Sequence, residues 1–206
     1  MGASPGRSGC RGAGRARRWP RGYAADLTDG WAVGGGLNGG YLLAVNGNAL
    51  RAANPTKPDP ISMSAHYLSA SVAGPATVQT RTVREGRSTT TVAADLVQGE
   101  EVPITALATY GDLCRLADEV ATTADGLVLP PPEECVPNTM APEELRRFAP
   151  TMELTAHVRA VPAPGWLRVR HATCTIAGGM FEEDCGVWDS AGRLVAQSRQ
   201  LARAPR

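Results

Sequence analysis

One stretch constrains this chain more than any other: residues 34–53, GGGLNGGYLLAVNGNALRAA. Leu42, Val45, Ala49 and Ala52 recur every three or four residues, the spacing of one helix face. Asn38 suits the N-cap, because its short polar side chain can accept a first-turn amide hydrogen. Asn54-Pro55 ends the run, since proline cannot continue a helix and restricts the residue before it. The spacing predicts one helix of about four turns, entered through a glycine turn. Almost everything after it reads as strand, so the expected plan is a single helix with β-structure packed round it.

A short strand is expected from Tyr23, ended by Asp29-Gly30. After the helix, residues 61–72 alternate Ile61, Met63, Ala65 and Tyr67 against Ser62, Ser64 and His66, the pattern of a half-buried strand. Turn signals at Gly74-Pro75, Glu85-Gly86-Arg87 and Gly99-Glu100-Glu101 separate further strands at 76–84, 88–98 and 102–110. A helix followed by a four-stranded meander is an α+β arrangement. Residues 111–150 lose this period, and their prolines exclude long regular elements apart from two helical turns at 142–148. Strands resume at 151–159, 166–175, 178–188 and 193–202. The expected organisation is a disordered basic tail (1–22), a first unit (23–113), a linker (114–149) and a partial second unit (150–206).

The second half repeats the first. His66 to Gly74 lies on His157 to Gly165 at an offset of 91, and the same offset lays Val97-Gln98 on Trp188-Asp189. The repeat exposes a gap. The window matching the helix is about 130–144, PPPEECVPNTMAPEE, which cannot form a comparable helix. The second unit should therefore expose an apolar sheet face unless the linker, the first unit or another chain covers it.

Composition removes several function classes. Formal charge is +1, which argues against an electrostatic nucleic-acid binder, and the six arginines of residues 1–22 read as a low-complexity tail. No apolar run reaches about 18 residues, so no membrane span is expected, and residues 1–30 lack a secretory apolar core. Cys10, Cys114, Cys135, Cys174 and Cys185 are odd in number and form no CxxC, which fits a reducing cytoplasm and gives no zinc framework. The glycine run is not a P-loop, and no GxSxG occurs.

The pieces GGGLNGGYLLA, SMSAHYLSASVAGPA and GRSTTTVAADLVQ, with FEEDCGVWDSAGRLVAQSRQLA in the second copy, resemble the double-hotdog acyl-CoA thioesterases of the thioesterase II type, especially their actinobacterial branch. The resemblance covers 23–113 and 150–206. It implies a hotdog fold, an antiparallel sheet wrapped round one long helix, in a double arrangement whose second helix is missing here. It also implies a cytoplasmic hydrolase of lipid metabolism, cleaving acyl-CoA with activated water, without metal or cofactor, and self-associating as a homo-oligomer. The family uses an Asp on the second helix, a Thr opening the next strand and a Gln in the last strand. Thr151 and Gln200 stand at the last two positions. The Asp has no counterpart, and several dozen residues are absent near Phe148-Ala149.

Thioester hydrolysis needs an oriented water, a base, and donors for the developing oxyanion. Thr151 and Gln200 can hold water but are poor bases. Glu153, two residues beyond Thr151, is expected on the same strand face and otherwise reads as solvated. Glu182, Glu183 and Asp184 read as solvated surface. Asn38, Gly39 and Gly40 could polarise a thioester carbonyl or meet a CoA phosphate, or simply make a turn and cap. His66 and His157 occupy matching repeat positions and read either as packed strand histidines or as a base or substrate contact. Arg81, Arg84 and Arg87 could meet CoA phosphates or be ordinary surface. The expected function is thioesterase-like hydrolysis, impaired by loss of the Asp. The alternative is a non-catalytic hotdog protein that binds acyl-CoA or a partner subunit.

Overall fold

The computed structural model describes residues 21–115, 121–124, 126–137, 140 and 149–205. The basic residues 1–20 and the helical turns expected at 142–148 lie outside that set. In chain order the elements are β1 (Arg21–Leu27), β2 (Ala32–Val33), β3 (Gly36–Leu37), α1 (Gly39–Ala53), β4 (Asp59–Tyr67), β5 (Gly74–Glu85), β6 (Thr90–Gln98), β7 (Glu101–Gly111), β8 (Thr151–Val158), β9 (Arg168–Ala172), β10 (Ile176–Ala177), β11 (Met180–Trp188) and β12 (Leu194–Arg203). Arg21 and Gly22, expected in the tail, belong to β1, where they pair with Thr80 and Gln79. No helix among the described residues is long and apolar enough to cross a membrane.

α1 forms where the spacing predicted it. The Asn38 carboxamide oxygen accepts from the Tyr41 amide at 3.1 Å, and Asn54 closes the helix by donating Nδ2 to the Leu50 carbonyl at 2.7 Å. The buried face is Leu42, Leu43, Asn46, Ala49 and Leu50, with Val45 half-buried and Ala52 exposed. This corrects the expected face of 42, 45, 49 and 52. The stripe runs through a polar residue, Asn46, which a count of apolar positions skips. Burying each leucine of this face stabilises by about 1.5–3 kcal/mol. Two phenols, the half-buried Tyr67 and the buried Tyr110, fix the helix on the sheet: Tyr67 donates to the Gly39 carbonyl and Tyr110 to the Gly47 carbonyl, both at 2.9 Å. Burial pushes both phenols above the ordinary tyrosine value, so they remain donors.

The large sheet is antiparallel throughout, in the order β1-β5-β6-β7-β4-β8-β12-β11-β10, with β9 also paired to β11. β4 and β8 join its two halves. Ser62 pairs with His157, Ser64 with Thr155, and His66 with Glu153. An offset of 91 carries Ser62 to Glu153, Ser64 to Thr155 and His66 to His157, so exchanging the halves reproduces the pairing. The seam is thus a pseudo-twofold centred on Ser64 and Thr155, whose hydroxyls meet at 3.1 Å. Farther out, Thr80 pairs with Ala94 as His171 pairs with Cys185. One turn breaks the register: Thr105 pairs with His66 and Gln197 with His157, an offset of 92, because the turn before β12 is one residue longer.

The copies differ in completeness. Among the described residues the second half has no counterpart of α1 or of β1. β9 is shorter than expected, and β9 with β10 takes the place of the unbroken β5. The main core lies under α1, built from residues such as Ala65, Val78, Val92, Ala94, Leu96 and Ile104. In the second half, Leu167 and Val169 match the buried Ala76 and Val78 but are 48% and 44% exposed. The linker meets the sheet at Arg168, which donates Nη1 to the Leu127 carbonyl at 2.9 Å. Arg168 alternates with Leu167 and Val169 along the strand, so this contact falls on the opposite side.

Candidate functional site

A bulge in β8 sets the geometry. Gln200 pairs with Leu154 and Leu201 with Glu153, but Ala202 pairs with Thr151, so Met152 is the extra residue. One inserted residue reverses the alternation of side chains beyond it. Thr151 therefore shares a face with Leu154 and Gln200, the face that α1 covers in the first half. Its hydroxyl donates to Gln200 Oε1 at 2.7 Å. Glu153 points the other way, where Oε1 lies 2.6 Å from the Thr155 hydroxyl and 3.4 Å from that of Ser64. The expectation that Glu153 shares the Thr151 face is corrected for this reason.

The network continues across the strands. Glu183 is the register partner of Gln200, and Gln200 donates Nε2 to Glu183 Oε1 at 2.9 Å. The same oxygen lies 2.9 Å from His171 Nδ1. An ionised carboxylate only accepts, so Nδ1 carries the proton and Nε2 of the neutral ring is left with a lone pair. Nε2 lies 4.0 Å from Cys185 Sγ, and His171 and Cys185 are direct cross-strand partners. Burial pushes the Cys185 thiol up, a Ser198 hydrogen bond pulls it down, and the Glu183 charge raises it further. Thr151, Gln200, Glu183 and Cys185 are half-buried, while His171 is exposed. Among the described residues no three His, Cys, Asp or Glu side chains form a metal-binding group.

The acidic run thus divides. Asp184 pairs with Arg199, which holds its carboxyl below the usual range, and Glu182 accepts the amides of Cys174 and Thr175 at 3.1 and 3.0 Å. Glu183, read from sequence as solvated surface, belongs to the Thr151–Gln200 network instead. His171, Glu183 and Cys185 were missed. The signal was available: the 91 offset lays them on Thr80, Val92 and Ala94, all buried under α1. Reactive side chains at positions that the sister copy buries are worth noticing.

The other candidates lie elsewhere. Asn38 spends its side chain on the Tyr41 cap, and its amide donates to the Trp31 carbonyl at 2.9 Å. A Cβ on Gly39 would stand 2.9 Å from the Tyr67 ring, and one on Gly40 would stand 3.2 Å from Asn38 Oδ1, so close approach favours glycine at both. His66 is exposed on the face opposite Thr151 and Gln200, between Thr105 and Glu153. His157 shares that outer face. Arg84 and Arg87 are exposed, and Arg81 is half-buried. The structure brings Thr151 and Gln200 together and leaves His66 apart from them.

Comparison with known proteins agrees with this architecture. Residues 27–111 match the acyl-CoA thioesterase N-terminal domain family. An uncharacterized protein of Mycobacterium tuberculosis is 25% identical, with 89% of this chain and 91% of the relative covered. The matched span of 265 residues exceeds the 206 of this chain, so that relative carries stretches with no counterpart here. A Thermobifida fusca protein assigned as a thioesterase II superposes with a TM-score of 0.77 at 28% identity, over 90% of this chain and 92% of that one. A hot dog protein of unknown function from Alicyclobacillus acidocaldarius superposes at 0.72 and 20% identity, over 91% and 95%. Residues 27–111 thus match the acyl-CoA thioesterase N-terminal domain family, and the chain has the hotdog fold and is similar to thioesterase II proteins.

Proposed function

We propose that the chain hydrolyses acyl-CoA to free acid and CoA on the inner face of its second half. The two halves, 23–113 and 150–206, act as a complete and a reduced hotdog unit joined by 114–149. The observation that carries this reading is the contiguous Thr151–Gln200–Glu183 chain at 2.7 and 2.9 Å. Thr151 donates its hydroxyl hydrogen bond to Gln200 Oε1, which leaves the Thr151 oxygen free to accept one from a water. Glu183 supplies the carboxylate for which the resemblance implies an Asp on the absent helix. The start of α1 at Asn38–Gly40 is the proposed contact for the acyl carbonyl, through the Gly39 and Gly40 amides, since Asn38 is spent on the cap and on the Trp31 carbonyl. His66, on the outer face, has no part in it. The described cysteines are all free, which suits a cytoplasmic setting.

CoA release from a panel of acyl-CoAs tests the proposal. Glu183→Gln should lower kcat/KM about 10²–10⁴-fold, the usual loss with a general base. Gln200→Ala should lower it about 10- to 100-fold, for a charge-assisted hydrogen bond of about 1.5–3 kcal/mol. A second reading, binding without catalysis, draws on the exposure of Leu167 and Val169, which leaves the site without the cover of a second helix. Tight acyl-CoA binding with no CoA release from the unmodified chain would favour that reading and overturn the first.

A further inference from the structure

The Thr151–Gln200–Glu183 chain does not end at the carboxylate. Glu183 Oε1 also holds His171 Nδ1 at 2.9 Å, and His171 Nε2 faces Cys185 Sγ at 4.0 Å. A thiol, an imidazole and an orienting carboxylate in this order are the parts of an activated nucleophile, and such contacts are often long before substrate binds. The strands hold the three in place. His171 and Cys185 are register partners on β9 and β11, and Glu183 lies two residues before Cys185 on the same face. In the first half the matching residues, Thr80, Val92 and Ala94, are sealed under α1 at 3%, 1% and 0% exposure. The second half replaces them with His, Glu and Cys, and among the described residues no helix covers them.

We propose that Cys185 is a nucleophile that takes the acyl group of an acyl thioester, with His171 as its base and Glu183 holding the imidazole. This rests on the reading that the inner face of the second half meets acyl thioesters. Cys185 Sγ attacks the acyl carbonyl carbon and forms a new C–S bond while His171 Nε2 takes the thiol proton. The tetrahedral species then collapses and the bond from carbon to the CoA sulfur breaks. That sulfur leaves with the electron pair and takes the proton from His171. A thioester is exchanged for a thioester, so no oxidant, reductant or metal is needed. Burial favours the thiol at rest, so proton removal by His171 accompanies attack. Water, giving a proton to His171, then attacks the carbonyl carbon of the Cys185 thioester; the C–S bond breaks, Cys185 sulfur takes the proton back from His171, and the free acid leaves.

The test incubates the full chain with octanoyl-CoA, quenches in acid, maps acylated cysteines by mass spectrometry and measures CoA by chromatography. The expected result is a hydroxylamine-labile octanoyl group on Cys185, formed with one equivalent of CoA. His171→Gln should slow acylation of Cys185 about 10²–10⁴-fold and leave any acylation of the exposed Cys174 unchanged. Should the acyl-enzyme turn over too fast to trap, loss of CoA release in Cys185→Ala supports the proposal equally. Acylation of Cys185 that stops after one equivalent of CoA upholds the nucleophile and overturns the hydrolysis reading. Sustained release in Cys185→Ala at the unmodified rate, with no acyl group on Cys185 of the unmodified chain, overturns the nucleophile and leaves hydrolysis standing. Absence of both release and adduct, or octanoyl groups spread evenly over the cysteines, overturns it as well.

Discussion

Asn46 sits at the centre of the buried face of α1, fully enclosed, and neither its amide nitrogen nor its oxygen finds a hydrogen-bond partner among the described residues. Leaving such a group unsatisfied costs about 1–3 kcal/mol. Asn46→Leu, which keeps the heavy-atom branching and removes the polar atoms, should therefore raise stability by up to an amount in that range. Urea unfolding checks it, and a lower midpoint would show that Asn46 has a partner this account lacks. The same residue explains why the helix face was misjudged from sequence, since an asparagine in a buried stripe breaks an apolar count. Glu183 shows the opposite error. Between Glu182 and Asp184 it looks like part of a solvated run, yet strand alternation separates it from both neighbours and aims it at Gln200.

Among elements, α1 was the most legible, because its cap, its spacing and its terminating Asn-Pro all agree. The strands β4 to β7 were legible from alternation and turn residues, but only β5, β6 and β7 form a meander, because β4 pairs with β7 and not with β5. The β8 bulge was not, because nothing in TMELTAHV marks Met152 as the extra residue, so Glu153 and Thr151 were assigned to one face. β9 was overestimated in length because Trp166-Leu167 continues its pattern without pairing. That strand is short, pairs on one side only and carries exposed Val169. Its amides, with those of β10, should exchange with solvent well before those of β6, which is paired on both sides under α1. Hydrogen exchange read by mass spectrometry checks this. Equal protection of β9 and β6 would mean that something covers the β9 edge in solution.

At the scale of the whole molecule, a pseudo-twofold seam joins two halves of one sheet, and only one half has a helix on its inner face among the described residues. The open face carries Leu167 and Val169 beside the Thr151–Gln200–Glu183 network. An exposed apolar face invites a partner, so self-association is expected to grow with concentration. Sedimentation should show it, and the pair Leu167→Asp and Val169→Asp should shift the particle toward monomer. A monomer at every concentration would contradict that expectation. Everything else turns on which face of the second half meets the acyl thioester. A crystal structure with a non-hydrolysable thioether analogue of acyl-CoA decides it. The analogue's acyl carbon is expected to lie against Thr151, Gln200, Glu183 and Cys185. An analogue seated on the outer face beside Glu153 and His157, with the inner face empty, would contradict it.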